Sequence, residues 1–128
     1  MDLFPWVAAG NTGALDVVWY GTTEAASITS YDPGAQQSTW YPYMAQVFKA
    51  NSVTPSISAP VQVSQHANHW GGICTMGLGC TTGGDSSLAD FFQVALNKQG
   101  AAVVRWTDTS NNSNTSASGN DRSVCASG

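Results

Sequence analysis

Two histidines lie three residues apart in a glycine-rich part of the chain, and they are the side chains best suited to catalysis. His66 and His69 are the only histidines of the sequence. Two imidazoles at this spacing can bind one divalent metal, zinc or calcium, with Asp85 or Asp90 as an oxygen ligand and water in the open position. A metal held in this way would activate the water for hydrolysis of an ester or phosphoester. Asp85 and Asp90 are the candidate catalytic carboxylates.

The same residues have a structural alternative, which the sequence leaves open. A long loop without regular secondary structure needs hydrogen bonds to hold it, and both imidazoles could bond to the backbone instead of to a metal. Asp90 resembles Asp2 in position, because each opens a similar apolar segment, and this favours a structural hydrogen bond for both. Whether the chain is an enzyme is therefore undecided, and any activity would be a hydrolysis.

If the two histidines bind a metal, elemental analysis of the purified protein will find about one metal ion per chain. The double substitution His66→Ala with His69→Ala will remove the metal, because it removes both nitrogen ligands. A double variant that keeps full hydrolase activity would contradict the metal-dependent hydrolase hypothesis.

The cysteines and the composition favour an extracellular or cell-surface location. Cys74 and Cys80 bracket a short loop, TMGLG, and we expect them to form a disulfide worth about 2 kcal/mol. Two buried thiols or two metal-bound thiolates are the alternatives, but the spacing is wider than that of zinc knuckles. Charged residues make up only 9% of the chain, against about 25% in an ordinary soluble domain. No signal peptide follows Met1, so the natural N terminus is expected upstream.

The charge pattern argues against two classes of partner. The net charge is −4, and the four lysines and arginines are scattered without a basic run. Electrostatic binding to nucleic acid or to an anionic membrane is therefore not expected. No apolar stretch approaches the roughly 20 residues that a membrane span needs.

Strand patterns are frequent and helical periodicity is almost absent, which predicts an all-β fold. The expected strands are residues 4–9, 15–22, 41–49, 57–64, 90–97 and 101–107. Pro60 favours a sheet edge for the fourth segment. Residues 66–88 are expected to form a long loop. The folded domain is expected to span residues 1–110, followed by a polar, flexible tail at 111–128.

An internal similarity indicates how the strands are organised. DLFPWVAA at residues 2–9 resembles DFFQVALN at 90–97, and VVWYGT at 17–22 resembles VVRWTD at 103–108, with a glycine turn between the two parts of each copy. The same hairpin thus occurs twice, with two further strands between the copies. This predicts an antiparallel, four-stranded propeller-type blade followed by half of the next, about one and a half blades per chain.

Several words of the sequence resemble the C-terminal blades of secreted sialidase-like β-propeller proteins with BNR repeats. They are FPWVAAG at 4–10, DVVWYGT at 16–22, HANHWGGIC at 66–74, CTTGGD at 80–85, LADFF at 88–92 and DTSN at 108–111. The resemblance covers about residues 3 to 111. It implies a propeller fold, an extracellular setting and a relation to glycans, including glycan binding or hydrolysis.

The resemblance does not extend to the sialidase active site. Sialidases of this family use three arginines to hold a carboxylate, whereas this chain has only Arg105 and Arg122. A competent sialidase is therefore not expected from this chain alone. Among the aromatic residues, Trp40 and Trp70 are the candidates for exposed side chains that stack on sugar rings, and the others are expected in the core.

One and a half blades leave sheet faces and edges uncovered. A blade buries its faces only against neighbouring blades, and unpaired strands recruit other strands. The sequence therefore predicts a homo-oligomer that assembles through these open edges. A structural, self-assembling β module without catalysis is the third functional alternative, beside a glycan-related module and a metal-assisted hydrolase.

Overall fold

The computed structural model describes residues 2–22, 38–73, 88 and 91–110. Every regular element in these ranges is a β-strand, which confirms the all-β prediction. The strands are β1 (Asp2–Ala9), β2 (Ala14–Gly21), β3 (Thr39–Phe48), β4 (Ser56–Ile57), β5 (Val61–Gln62), β6 (His69–Trp70), β7 (Gln93–Leu96) and β8 (Ala102–Arg105). No helix long and apolar enough to cross a membrane occurs in the described part of the chain.

Six strands form one antiparallel sheet and two form a separate hairpin. The large sheet has the order β1-β2-β3-β4, and β5 and β6 also pair with β3. β2, with the sequence ALDVVWYG, is rich in β-branched and aromatic residues and is paired on both sides. β3 is the longest strand, so it accommodates three short partners along its other side. Among the strands described, β7 and β8 pair only with each other.

The structure corrects some of the predicted boundaries. The predicted strand 57–64 is divided into β4 and β5, with Pro60 between them, because proline cannot donate to a ladder. The predicted loop 66–88 contains β6, which pairs with the first two residues of β3. β6 is two residues long and is too short to produce a sequence pattern. β7 and β8 lie inside the predicted segments 90–97 and 101–107.

β1 is interrupted by an irregularity near its start. The pairing with β2 shifts between Leu3 and Trp6, where Phe4 has a φ of 50° and is followed by Pro5. A non-glycine residue in this left-handed region costs about 1–2 kcal/mol, so surrounding contacts must stabilise it. Leu3 and Phe4 both pack against the hydrophobic core, whereas Trp6 is left 49% exposed.

The two faces of the large sheet have different surroundings. Directly paired residues of neighbouring strands lie on the same face, so the front face is defined by Val18 and Tyr20 and the back face by Val17 and Trp19. The β7–β8 hairpin packs on the front face, where the rings of Tyr20 and Phe92 stack at 4.3 Å. The buried core cluster is made of Val18, Tyr20, Trp40, Ile73, Leu88, Phe92 and Val94.

The two hairpins, β1–β2 and β7–β8, have turns of the same length, with a glycine at the same position, and the same register. Gly13 and Gly100 have φ values of 78° and 81°. In the first turn the Gly10 N–H donates to the Ala14 carbonyl at 2.9 Å, and in the second the Asn97 N–H donates to the Ala101 carbonyl at 2.9 Å. When these turns are matched, every pair of the second hairpin has a counterpart in the first.

This match corrects the sequence comparison by one residue in each strand. The similar words place Val94 with Trp6 and Val103 with Val17, whereas the turns place Val94 with Val7 and Val104 with Val17. A shift of one residue moves a side chain to the other face of the sheet. The structural match therefore shows that Val94 and Val104 correspond to residues of the back face.

The equivalent residues Val94 and Val7 provide a test of the packing between hairpin and sheet. Val94 is 3% exposed and Val7 is 55% exposed. We expect Val94→Ala to lower the free energy of unfolding by about 2 kcal/mol, because two buried methyl groups are lost, and Val7→Ala to lower it by less than about 1 kcal/mol. Urea denaturation of dilute protein measures both values. Equal losses would contradict the described packing.

Candidate functional site

His66 is held by the segment that follows β8. Its Nε2 lies 2.8 Å from Oδ2 of Asp108, and the two side chains are 62% and 33% exposed. A carboxylate can only accept, so Nε2–H is the donor. The His66 backbone N–H also donates to Oγ of Ser64 at 3.2 Å, and that hydroxyl donates to the His66 carbonyl. These contacts fix the orientation of the imidazole on a loop that has no strand of its own.

His69 lies in β6 and is fully buried. Its Nδ1 is 2.9 Å from Oγ1 of Thr109, and the Thr109 hydroxyl donates to the Asn68 carbonyl at 3.1 Å. Because a hydroxyl has one proton to donate, the Thr109 oxygen must accept from Nδ1–H of His69. The tautomer is thereby assigned, and Nε2 of His69 carries the lone pair.

Residues 107–110 connect both histidines to the rest of the domain. The Thr109 N–H donates to the Asn68 carbonyl at 2.8 Å, and the Asn68 side-chain amide donates to the Thr107 carbonyl at 3.1 Å. The Thr107 N–H donates to the hydroxyl of Tyr20 at 3.0 Å. The segment thus lies across the end of the sheet and makes contact with the buried face of β2.

The fold lowers the pKa of the Asp108 carboxyl. Partial burial opposes its ionisation, but hydrogen bonds from Ser110 and from His66, together with the charge of His66, outweigh this and lower the pKa of Asp108 below 3.8. The Ser110 backbone N–H donates to Oδ1 at 2.8 Å. Both carboxylate oxygens are therefore occupied by donors.

The arrangement of the two histidines is compatible with both alternatives, metal binding and structural hydrogen bonding. Each imidazole donates one N–H to an oxygen acceptor, which is also how metal-binding histidines are oriented by their surroundings. The structural alternative is supported by the same bonds, with side chains rather than backbone groups as the partners of the rings. No group of three or more metal-binding side chains is found among the described residues. Asp85 and Asp90 lie outside those residues, as do Cys74 and Cys80, so the metal site and the disulfide stay predictions.

The two tryptophans expected to bind sugar rings differ in their surroundings. Trp40 is fully buried in β3 and its indole N–H donates to the Gly71 carbonyl at 2.9 Å. The expectation of an exposed Trp40 is therefore wrong, because its ring is part of the core. Trp70 is half-buried in β6, where it pairs with Thr39, and its role in binding stays a prediction.

An aromatic cleft that the sequence did not reveal lies beside the bulge of β1. It has a volume of about 330 Å³ and is lined by Phe4, Pro5, Trp6 and Phe92. Phe92 forms its floor with Tyr20 stacked beneath, and Phe4 meets Tyr20 edge-on at 6.5 Å. The available signal was Pro5 inside a strand pattern, which indicates an irregular edge strand where an aromatic side chain can turn outward.

Comparison with known proteins found no matching family model, no matching curated protein and no matching solved structure. The function of the chain is therefore argued from its own residues and their geometry.

The lowered pKa of Asp108 predicts how stability depends on pH. A carboxyl with a lowered pKa in the folded state contributes stability above its unfolded pKa and loses it as the pH falls through the folded value. We expect the wild type to be more stable than Asp108→Asn by about 1 kcal/mol at neutral pH, given the partial exposure. This difference should shrink as the pH falls below about 4.

Urea unfolding from pH 7 to pH 2 measures this dependence, with His66→Gln as the matched control. The control keeps the bond from Ser110 to Asp108, so it should keep part of the acid dependence that Asp108→Asn removes. A difference between wild type and Asp108→Asn that stays constant over the whole range would contradict the assignment.

Proposed function

We propose that this chain is part of an extracellular, sialidase-like β-propeller protein and that it binds glycans without being a competent sialidase on its own. The proposal combines the sequence resemblance with two features of the described residues. One is the repeated hairpin, and the other is the aromatic cleft beside β1.

The propeller part of the proposal is supported by how the second hairpin is placed. In a propeller, successive blades pack face to face around a central axis instead of extending one sheet. The β7–β8 hairpin likewise packs on a face of the large sheet, since Val94 and Phe92 share one buried cluster with Val18 and Tyr20. The shared turn and register of the two hairpins are what a repeating blade requires.

The glycan part of the proposal depends on one observation, the half-exposed indole of Trp6 at the rim of an aromatic cleft. Binding sites for small molecules are concave and mostly apolar, and a sugar ring presents an apolar C–H face that an indole can cover. The lining residues Phe4, Pro5, Trp6 and Phe92 carry no charge. This favours a neutral sugar ring over an acidic one.

The absence of an arginine triad limits the chemistry that we propose. Arg105 lies in β8 with an exposed side chain, and Arg122 is the other arginine of the sequence. Two arginines cannot provide the three guanidinium groups that a sialidase of the resembled family uses. Binding is therefore the function that we propose for this chain.

A glycan array probed with the wild type, Trp6→Ala and Phe91→Ala tests the binding site. Phe91 is the matched control, because its ring is 76% exposed but does not line the cleft. We expect Trp6→Ala to weaken binding of the preferred glycan by about tenfold, as an aromatic stacking contact of about 1.4 kcal/mol is lost. Phe91→Ala should bind as the wild type does.

Titration with the preferred glycan, followed by tryptophan fluorescence, should give a dissociation constant for Trp6→Ala about tenfold higher than that of the wild type. Unchanged binding by Trp6→Ala would show that the cleft is not the glycan site. A wild type that binds no glycan on the array would contradict the proposed function itself.

A further inference from the structure

The back face of the large sheet is apolar and faces away from the β7–β8 hairpin. It carries Val7, Val17, Trp19, Tyr43, Ala45 and Val47. The rings of Trp19 and Tyr43 stack at 6.1 Å, while Val7 is 55% exposed at one margin and Ile57, paired with Val47, is 70% exposed at the other. The core cluster contains none of the six back-face side chains. Ala45, at the centre of the back face, is buried at 6% exposure, and Val17, Trp19, Tyr43 and Val47 around it are half-buried.

The repeat within the chain shows what such a face packs against. Val94 and Val104 of the second hairpin occupy the places that Val7 and Val17 occupy in the first. In the second hairpin this face is directed at the large sheet, and Val94 is 3% exposed. The back face of the first hairpin therefore corresponds to the inner face of the second hairpin. That inner face is covered by the front face of the large sheet, which precedes it in the chain.

The second hairpin also repeats the front face, on its outer side. The turns match Trp6, Ala8, Asp16 and Val18 of the front face with Gln93, Ala95, Val103 and Arg105. All four residues of this outer side are exposed, with Val103 at 47%, and they line a shallow cleft of about 290 Å³. Among the described residues, each copy of the chain thus presents a front-type surface at one end and a back face with exposed margins, at Val7 and Ile57, at the other.

We propose that the outer side of β7–β8 in one copy docks on the back face of the large sheet in a second copy. This head-to-tail contact repeats between chains the packing that already exists within one chain. It rests on the proposed blade relationship of the two hairpins and does not depend on glycan binding. The contact is heterologous, because each copy contributes a different surface.

The charges at the two surfaces favour this arrangement over a pairing of two back faces. Asp2 pairs with Gly21 and lies at the margin of the back face, and Arg105 lies on the outer side of β8. Head-to-tail docking brings opposite charges to one interface. Back-to-back docking would bring two Asp2 carboxylates to one interface and would leave both Arg105 side chains outside it.

Light scattering after size-exclusion chromatography of Val7→Lys and Val103→Lys tests the proposal. Each substitution puts a charge on one of the two surfaces at a position that is already exposed, so folding should be kept, and circular dichroism checks this. We expect the wild type to associate with rising concentration and each variant to associate at least about tenfold more weakly. Val53→Lys, at a residue that is 99% exposed in the turn between β3 and β4 and belongs to neither set of docking residues, should associate as the wild type does.

Mixing the two variants distinguishes head-to-tail docking from other arrangements. Val103→Lys keeps an intact back face and Val7→Lys keeps an intact outer side, so the mixture should form a dimer of one copy of each and nothing larger. Normal association of Val103→Lys alone would support back-to-back pairing and overturn the proposal. A wild type that stays monomeric at every concentration would show that a second copy is not the occupant.

These outcomes are separable from the test of glycan binding. The Trp6 cleft lies on the front side of the sheet, so a loss of association in Val7→Lys with unchanged glycan binding is the expected combination. Association without glycan binding would leave the docking proposal intact and would contradict the proposed function only.

Discussion

The contact between the Tyr20 and Phe92 rings joins the β7–β8 hairpin to the large sheet, and the packing of these two layers depends on it. A single sheet with an apolar face is not stable in water until another layer covers that face. Tyr20 receives Phe92 face-on and Phe4 edge-on, while its hydroxyl accepts the N–H of Thr107. Burial raises the pKa of Tyr20 to about 12, although the bond from Thr107 opposes the shift. The ring therefore stays neutral in the core at all ordinary pH values.

The polar contacts around the histidines are arranged along the segment that Tyr20 positions. From Thr107 the chain runs past Asn68 and His69 and reaches His66 through the Asp108 carboxylate. One short segment thus provides partners for Nδ1–H of His69 and for the carbonyl and the side-chain N–H of Asn68, which lowers the cost of burying these groups. The histidines, the hairpin and the cleft beside Trp6 are in this sense held by one set of contacts, and a change at Tyr20 would reach all of them.

Most strands could be predicted from the sequence, but the face of the sheet on which each side chain of the repeated hairpin lies could not. Period-2 alternation and β-branched residues marked β1, β2, β3, β7 and β8, because these strands are long enough to produce a pattern. The two-residue strand β6 exists through its pairing with Thr39 and Trp40, and such pairing depends on residues distant in the chain. The repeated hairpin was recognised, but its alignment was displaced by one residue, which exchanges the faces. Only the hydrogen bonds of the two glycine turns correct it.

In the candidate site, too, the contacts that could not be predicted join residues that are distant in the sequence. The partners of His66 and His69 are Asp108 and Thr109, about forty residues away in sequence, and no local spacing relates them. For a similar reason, Trp40 was expected to be exposed and is buried, whereas Trp6 was expected in the core and is half-exposed. Trp40 is buried in a cluster with residues from later in the chain, such as Ile73 and Leu88. Trp6 follows the irregularity at Pro5 and is 49% exposed.

The bulge in β1 has a consequence for how this chain can grow into larger structures. A β-sheet extends sideways when a foreign strand finds a continuous row of free N–H and C=O groups on its outermost strand. At β1 that row is broken, because Pro5 supplies no N–H and the left-handed Phe4 turns the backbone out of line. Lateral addition of strands, which is the route to fibrils, is thereby obstructed on this side of the sheet.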